Sequence, residues 1–103
     1  MIPEIGPALI GRAALLAQSL DGRPSLQHVV GSLVEFWWLC EERHCALGPV
    51  LGRPAEILLA GEDVVELFRI ASGGLVADLW QLAALGFVED RGGGAWLVPG
   101  VLP

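Results

Sequence analysis

The sequence predicts a mainly helical, single-domain protein that ends in a small β-hairpin. In several segments, apolar residues recur at intervals of three and four, the spacing of amphipathic helices. Near the end of the chain, a glycine-rich segment at residues 90–94 lies between two short strand-like stretches at 87–89 and 95–98, as in a β-hairpin. The length of 103 residues suits one domain, which we expect to span residues 1–103.

The first helix is predicted over residues 7–22. Pro7 suits the first turn of a helix, and Gly22 suits the left-handed conformation that often ends one. Arg12 falls toward the side opposite the apolar face, so the helix is amphipathic and requires another element to pack against. The apolar face consists of Leu9, Ala13, Leu16 and Leu20.

A long central helix is predicted over residues 26–44, with Ser25 as its N-cap. Trp38 falls in the polar row of this helix, so its indole is either covered by the first helix or exposed as an interface anchor. Trp37, by contrast, is predicted to be a core residue. The broad apolar side consists of Val29, Val30, Leu33, Phe36, Trp37, Cys40 and His44.

A loop is predicted from Cys45 to Pro54, because Gly48-Pro49 and Gly52-Arg53-Pro54 are turn signals close together. The apolar run at residues 56–60 is compatible with one strand or one helical turn. Its context favours the strand.

Two further helices are predicted over residues 62–72 and 75–85, separated by a break at Ser72-Gly73-Gly74. The inner face of the second helix is predicted to carry Leu75, Val76, Leu79, Leu82 and Ala83, and its outer face Ala77, Asp78, Gln81 and Ala84. The hairpin follows, with strands at 87–89 and 95–98 joined by a turn at 90–94. Trp96, in the last strand, is predicted to be buried.

The order strand, helix, short turn, helix and hairpin is similar to that of a winged helix-turn-helix domain. The most specific part is LAALGFVEDRGGGAWLV, in which a Leu-x-x-x-Gly-Phe junction ends a helix and a wing of acidic, basic and glycine residues follows. With VVGSLVEFWWLCEERHCAL ahead of it, the chain resembles small winged-helix modules of phage replication and mobile-element proteins over residues 26–98. The resemblance implies a winged helix-turn-helix preceded by an N-terminal helix and a long central apolar helix.

The same resemblance implies that residues 75–85 are the recognition helix that other members place in the DNA major groove. The conventional DNA contacts in this chain are then Arg69, Gln81 and Arg91, with Arg91 at the wing tip. The outer face of the predicted helix has no cation and includes Asp78, which makes it a poor reader of bases and phosphates.

Charge and hydrophobicity both favour a protein partner. Twelve acids against six arginines give a net charge of -6, which weakens attraction to DNA and to anionic membranes. Hydrophobic residues make up 53% of the chain, above the usual range of about 45–50%. Trp38 and Trp80 lie at the polar side or the edge of their helices, so we expect one or both to contact another chain, with a homodimer as one form of that contact.

No motif in the sequence is typical of an enzyme, a metal centre or a cofactor site. Cys40, His44 and Cys45, with His28 further back, carry zinc-binding groups, but they lack the Cys-x-x-Cys spacing and fit better as core thiols and a helix-end histidine. The start of the chain is a poor signal peptide, because Glu4 and Arg12 interrupt the required pattern. A cytoplasmic protein is therefore expected.

These observations favour a non-enzymatic winged-helix module that acts in replication or transcription mainly by docking to protein. Two alternatives stay open. One is a DNA-binding transcriptional regulator or replication initiator that uses Arg69, Gln81 and Arg91. The other is an acidic inhibitor that occupies the nucleic-acid groove of a host protein. Its acidic face would consist of Glu35, Glu41, Glu42, Glu62 and Glu66.

Overall fold

The computed structural model describes residues 7–46 and 56–99. This part of the chain is mainly helical and contains a small three-stranded antiparallel sheet, which confirms the mainly helical class with a hairpin. In chain order the elements are α1 (Pro7–Ser19), α2 (Leu26–Ala46), β1 (Glu56–Ala60), α3 (Gly61–Ala71), α4 (Leu79–Ala84), β2 (Glu89–Gly92) and β3 (Ala95–Pro99).

The sheet has the strand order β1-β3-β2, so β3 lies in the centre. β1 pairs with β3 without interruption, from Glu56 opposite Pro99 to Ala60 opposite Ala95. The ladder continues one pair further, because the N–H of Gly61 donates to the carbonyl oxygen of Gly94 at 3.3 Å. The strand predicted at residues 56–60 is therefore confirmed.

One hydrophobic core joins the helices to a single face of the sheet. Within this core the rings of Phe36 and Phe68 meet edge to face, with centroids 5.8 Å apart. This contact packs α2 against α3. Trp37 and Trp96 are 2% and 7% exposed, which confirms that both belong to the core. The other large members are Leu9, Leu16, Leu20, Val29, Leu33, Ile57, Leu59, Val64, Leu67, Leu82, Phe87, Val88 and Val98.

The first two helices begin close to the predicted positions. α1 ends at Ser19, earlier than predicted, and Gly22 takes a φ of +81° in the turn that follows. The Ser25 hydroxyl accepts the N–H of His28 at 3.1 Å, which confirms Ser25 as the N-cap of α2. α2 extends to Ala46, so the predicted loop begins later than Cys45, and residues 47–55 lie outside the described part.

The helix predicted over residues 75–85 is the largest error, because α4 spans only Leu79–Ala84. Asp78 is its N-cap, with extended backbone at φ −82° and ψ 167°, so residues 75–78 precede the helix. A helical phase therefore assigns the wrong faces there. Val76, predicted inside, is 67% exposed, and Ala77, predicted outside, is fully buried.

The helix predicted at 62–72 is observed as α3, one residue earlier at each end, and its predicted inner face is buried at Val64, Leu67, Phe68 and Ala71.

The hairpin exists, but its first strand lies two residues later than predicted. β2 spans Glu89–Gly92, and the turn contains only Gly93 and Gly94. Their φ values of +62° and +82° match a two-residue type I′ turn, which requires positive φ at both positions. Phe87 and Val88 are buried ahead of the strand.

Candidate interaction surfaces

Trp80 is the most exposed large apolar side chain of the described residues. It is 69% exposed on α4, and its ring meets Trp96 edge to face with centroids 5.6 Å apart. Trp96 is held in turn against Gly61, where an added β-carbon would lie 3.0 Å from the indole Nε1. Trp80 therefore projects into solvent from a well-packed base.

Val76 is the next most exposed, at 67%. It belongs to the non-helical segment that leads into α4. The Ser72 hydroxyl fixes the start of this segment by accepting the Leu75 N–H at 3.1 Å, and the buried Ala77 fixes its end. We call Val76 and Trp80, on either side of the Asp78 cap, the α4 surface. An exposed tryptophan is typical of the centre of a protein contact site, and Val76 adds a second exposed apolar side chain close to it in sequence.

Trp38 is also exposed, at 52%, on α2. Leu39, next to it in sequence, lines an open pocket of about 250 Å³ between α2 and α3. The other residues that line this pocket are Glu42, Arg43, Leu67 and Ile70. Among the ring pairs of the described residues, Trp80 contacts Trp96 rather than Trp38. The structure therefore does not join the two predicted interface residues through a ring contact.

The side-chain amide of Gln81, a predicted DNA contact, forms hydrogen bonds with other groups of the same chain. Its Oε1 accepts the N–H of Asp78 at 2.9 Å, while the Asp78 carboxylate accepts the N–H of Gln81 at 2.8 Å. The Nε2 of Gln81 donates to the carbonyl oxygen of Ser19 at 3.1 Å. These bonds cap α4 and connect it to the end of α1, so base recognition by this amide would require breaking them.

The two predicted arginine contacts lie on different elements. Arg69 is exposed in the last turn of α3, and Arg91 lies on β2 with its Nη2 3.9 Å from Glu89 Oε2. Two other arginines are also placed against groups of the same chain. Arg43 Nη1 lies 3.2 Å from Asp63 Oδ1, and Arg12 packs against Gly86. These four arginines thus belong to four different elements, α1, α2, α3 and β2.

Cys40 and His28 both lie against other parts of the fold. Cys40 is fully buried, and burial raises the pKa of its thiol to about 12 despite the nearby Arg43 charge, which lowers it. The Nε2 of His28 lies 2.8 Å from the carbonyl oxygen of Ser72, which connects the start of α2 to the end of α3. No group of three metal-binding side chains occurs within the described ranges, and the side chains of His44 and Cys45 lie outside them.

Sequence reasoning missed Val76 as a surface residue, although a signal for it was present. Asp78 and Gln81 have the three-residue spacing of a capping box, which marks a helix start. With the helix started at Asp78, Val76 lies in the preceding segment. The His28 contact carried no comparable signal, because 44 residues separate its partners.

None of the described helices is both long and apolar enough to cross a membrane. Comparison with protein-family models, with curated proteins and with solved structures gave no match to this chain.

Proposed function

We propose that the chain is a non-enzymatic winged-helix module that acts in replication or transcription by docking to another protein, with the α4 surface at the centre of the contact. The order of β1, α3, α4 and the β2–β3 hairpin supports the winged-helix assignment. In that assignment α4 occupies the position of the recognition helix, and the hairpin occupies that of the wing.

The observation that carries the proposal is the 69% exposure of Trp80 on α4. A helix that reads DNA presents cations and free amides to base edges and phosphates. α4 instead presents an indole, and the amide of Gln81 is used in the helix cap. Tryptophan is among the residues most enriched at the energetic centres of protein interfaces, which supports a protein partner.

The charge distribution supports the same choice. The net charge of -6 opposes approach to a phosphate backbone, and Arg43 and Arg91 each lie beside a carboxylate of the same chain. Affinity for DNA depends on the number of phosphates neutralised by Lys and Arg. We therefore expect weak DNA binding that changes little with salt.

The first experiment measures duplex DNA binding by fluorescence polarisation over a range of salt concentrations. We expect dissociation constants no tighter than the nonspecific range of about 10⁻⁴ to 10⁻⁶ M and a shallow salt slope. Tight binding that falls steeply with salt and is lost in Arg69→Ala and Arg91→Ala would instead establish the DNA-binding alternative.

The second experiment identifies what docks on α4. The immobilised chain is incubated with a host lysate, and retained proteins are quantified for wild type, Trp80→Ala and Trp38→Ala. A protein docked on α4 is expected to bind Trp80→Ala about 30-fold more weakly, the loss that corresponds to a hot spot of about 2 kcal/mol. Trp38→Ala is the matched control, since it removes an exposed indole from another helix. Retention that is identical for wild type and Trp80→Ala would exclude the α4 surface.

A further inference from the structure

The two edges of the sheet differ in how they are protected against pairing with another strand. β2 consists of four exposed residues, two acids, an arginine and a glycine, and its pairing with β3 is irregular between Asp90 and Gly92. Charges and bulges of this kind keep an edge from joining other strands. From Ile57 to Ala60, β1 contains no charge, proline or glycine, and its pairing with β3 is regular. Within the described residues, no strand pairs with the other side of β1.

The hydrogen-bond pattern establishes which backbone groups of β1 face that open edge. In an antiparallel pair, alternate residues exchange hydrogen bonds with the partner strand. The bond from Gly61 N–H to Gly94 assigns Leu59 and Ile57 to the pairs that bond β3. Glu56 lies opposite Pro99 in a pair that exchanges no hydrogen bonds. This agrees with the absence of an N–H in proline. The N–H and C=O of Leu58 therefore point away from β3, toward the open edge.

We infer that two copies of this chain pair through β1, antiparallel and in a register centred on Leu58. In this register each Leu58 exchanges both hydrogen bonds with Leu58 of the second copy, and Glu56 pairs with Ala60. Other two-fold registers that use the same outward groups leave part of the strand unpaired. The edge is thus complementary to itself, as the interface of a two-fold dimer must be.

The side chains favour a second copy over another extended segment. Leu58 is 46% exposed, and its neighbour across the β1–β3 pair is Leu97, because directly paired residues lie on the same face of a sheet. Pairing two copies would place the Leu58 side chains next to each other, so that a row of four leucines crosses the joined sheet. The six-stranded sheet would then end on both sides in the charged β2 edge.

The expected dimer is weak. One five-residue strand per copy buries much less than the roughly 1,600 Å² of a standard stable interface, and each copy carries a net charge of -6. We therefore expect a dissociation constant in the micromolar range, with dimerisation favoured by salt, which screens the repulsion. This edge is separate from the α4 surface, so its role does not depend on the docking proposal.

Thiol cross-linking tests the register directly. Leu58→Cys and Ala60→Cys are each made in a Cys45→Ser background, which leaves Cys40 buried as the other thiol. In the inferred register the two Leu58 Cα atoms lie about 5.5 Å apart, whereas the two Ala60 Cα atoms lie about 14 Å apart, from the usual rise and strand spacing. A cross-linker that spans only the shorter distance is expected to join Leu58→Cys at least about tenfold faster. Equal rates for the two variants, or no cross-linking of Leu58→Cys, would overturn the inference.

Sedimentation equilibrium of Leu58→Pro tests the hydrogen bonds. The Leu58 N–H does not bond β3, so proline at this edge position is compatible with the β1–β3 pair and removes only the outward donor. We expect the dimer dissociation constant to rise at least about tenfold, while Trp80→Ala leaves it unchanged. Leu58→Lys gives the same readout if Leu58→Pro fails to fold. A wild-type chain that stays monomeric up to millimolar concentration, or a dimer lost in Trp80→Ala but kept in both Leu58 variants, would contradict the inference.

Discussion

At the scale of single residues, burial determines what Cys40 can do. Its thiol is fully enclosed on α2, and this burial raises its pKa to about 12. The thiolate is the reactive form of cysteine, and it is scarce at neutral pH when the pKa is so high. We therefore interpret Cys40 as a packing residue rather than as a nucleophile or a metal ligand.

The raised pKa predicts how stability depends on pH. Burial favours the neutral thiol in the folded state, so Cys40 contributes stability that is fully present below the ordinary pKa of 9.0. This contribution is lost as pH rises from 9.0 to about 12, because the thiol ionises in the unfolded chain before it does so in the folded one. Urea denaturation across this window is expected to show a steeper loss of stability for wild type than for Cys40→Ala. Parallel curves for wild type and Cys40→Ala would show that the thiol has the same pKa in the folded and unfolded states, which would contradict the raised value.

At the scale of elements, the cap at Asp78 determines where α4 begins. The reciprocal bonds between Asp78 and Gln81 form a capping box, and the Gln81 amide also reaches Ser19 at the end of α1. One pair of polar side chains thus starts the helix and attaches it to its neighbour. The exposure of Trp80 and Val76 depends on this start, because it sets the backbone on both sides of the cap.

Replacing Asp78 tests the strength of the cap. Asp78→Ala removes the acceptor for the Gln81 N–H and is expected to lower the free energy of unfolding by about 0.5–2 kcal/mol. Asp78→Asn should retain most of the stability, because asparagine caps helices about as well as aspartate. Chemical denaturation of both variants provides the comparison. Equal losses for Ala and Asn would mean that the cap hydrogen bond contributes little.

The elements that the sequence predicted well are those whose apolar spacing is long and regular. The inner faces of α2 and α3 are buried where the 3.6-residue period places them, as at Phe36 and Phe68. The period failed at residues 75–78, because Val76 and Ala77 precede the helix, so a helical phase assigns them to the wrong faces. The first strand of the hairpin was predicted too early because Phe87 is apolar, as strand residues often are. In the structure Phe87 is a buried core residue that precedes the strand.

The candidate surface was predictable only in part. Helical phase placed Trp80 at the edge of its helix, and the structure exposes it. Its contact with Trp96 joins residues from α4 and β3, and no local pattern encodes such a contact. The hydrogen bond from the Gln81 amide to Ser19 was hidden for the same reason, because the two residues are 62 positions apart.

At the scale of the whole molecule, α1 shares one core with the later elements. Leu16 is fully buried in the same cluster as Phe68 and Val98, although it belongs to the first helix. A cluster that extends from α1 to β3 should unfold in one step, as small single domains usually do.

Leu16→Ala tests this prediction of one cooperative unit. The variant opens a cavity in the shared core and is expected to cost about 2–5 kcal/mol. Leu15→Ala is the matched control, because Leu15 is 55% exposed and its replacement should change stability by less than about 0.5 kcal/mol. Denaturation is followed both by helix content and by tryptophan emission. Two separate transitions, or a loss in Leu16→Ala confined to part of the helix signal, would show that α1 unfolds independently.

The crossed arrangement of Trp80 and Trp96 also gives the molecule an internal optical probe. Two indoles 5.6 Å apart with planes at 80° have electronic transitions close enough to couple, so light absorbed by one ring is shared with the other. We expect an exciton signal from this pair in circular dichroism only while α4 and the hairpin are held together. A ligand that pulls Trp80 away from Trp96 would erase it without unfolding the chain.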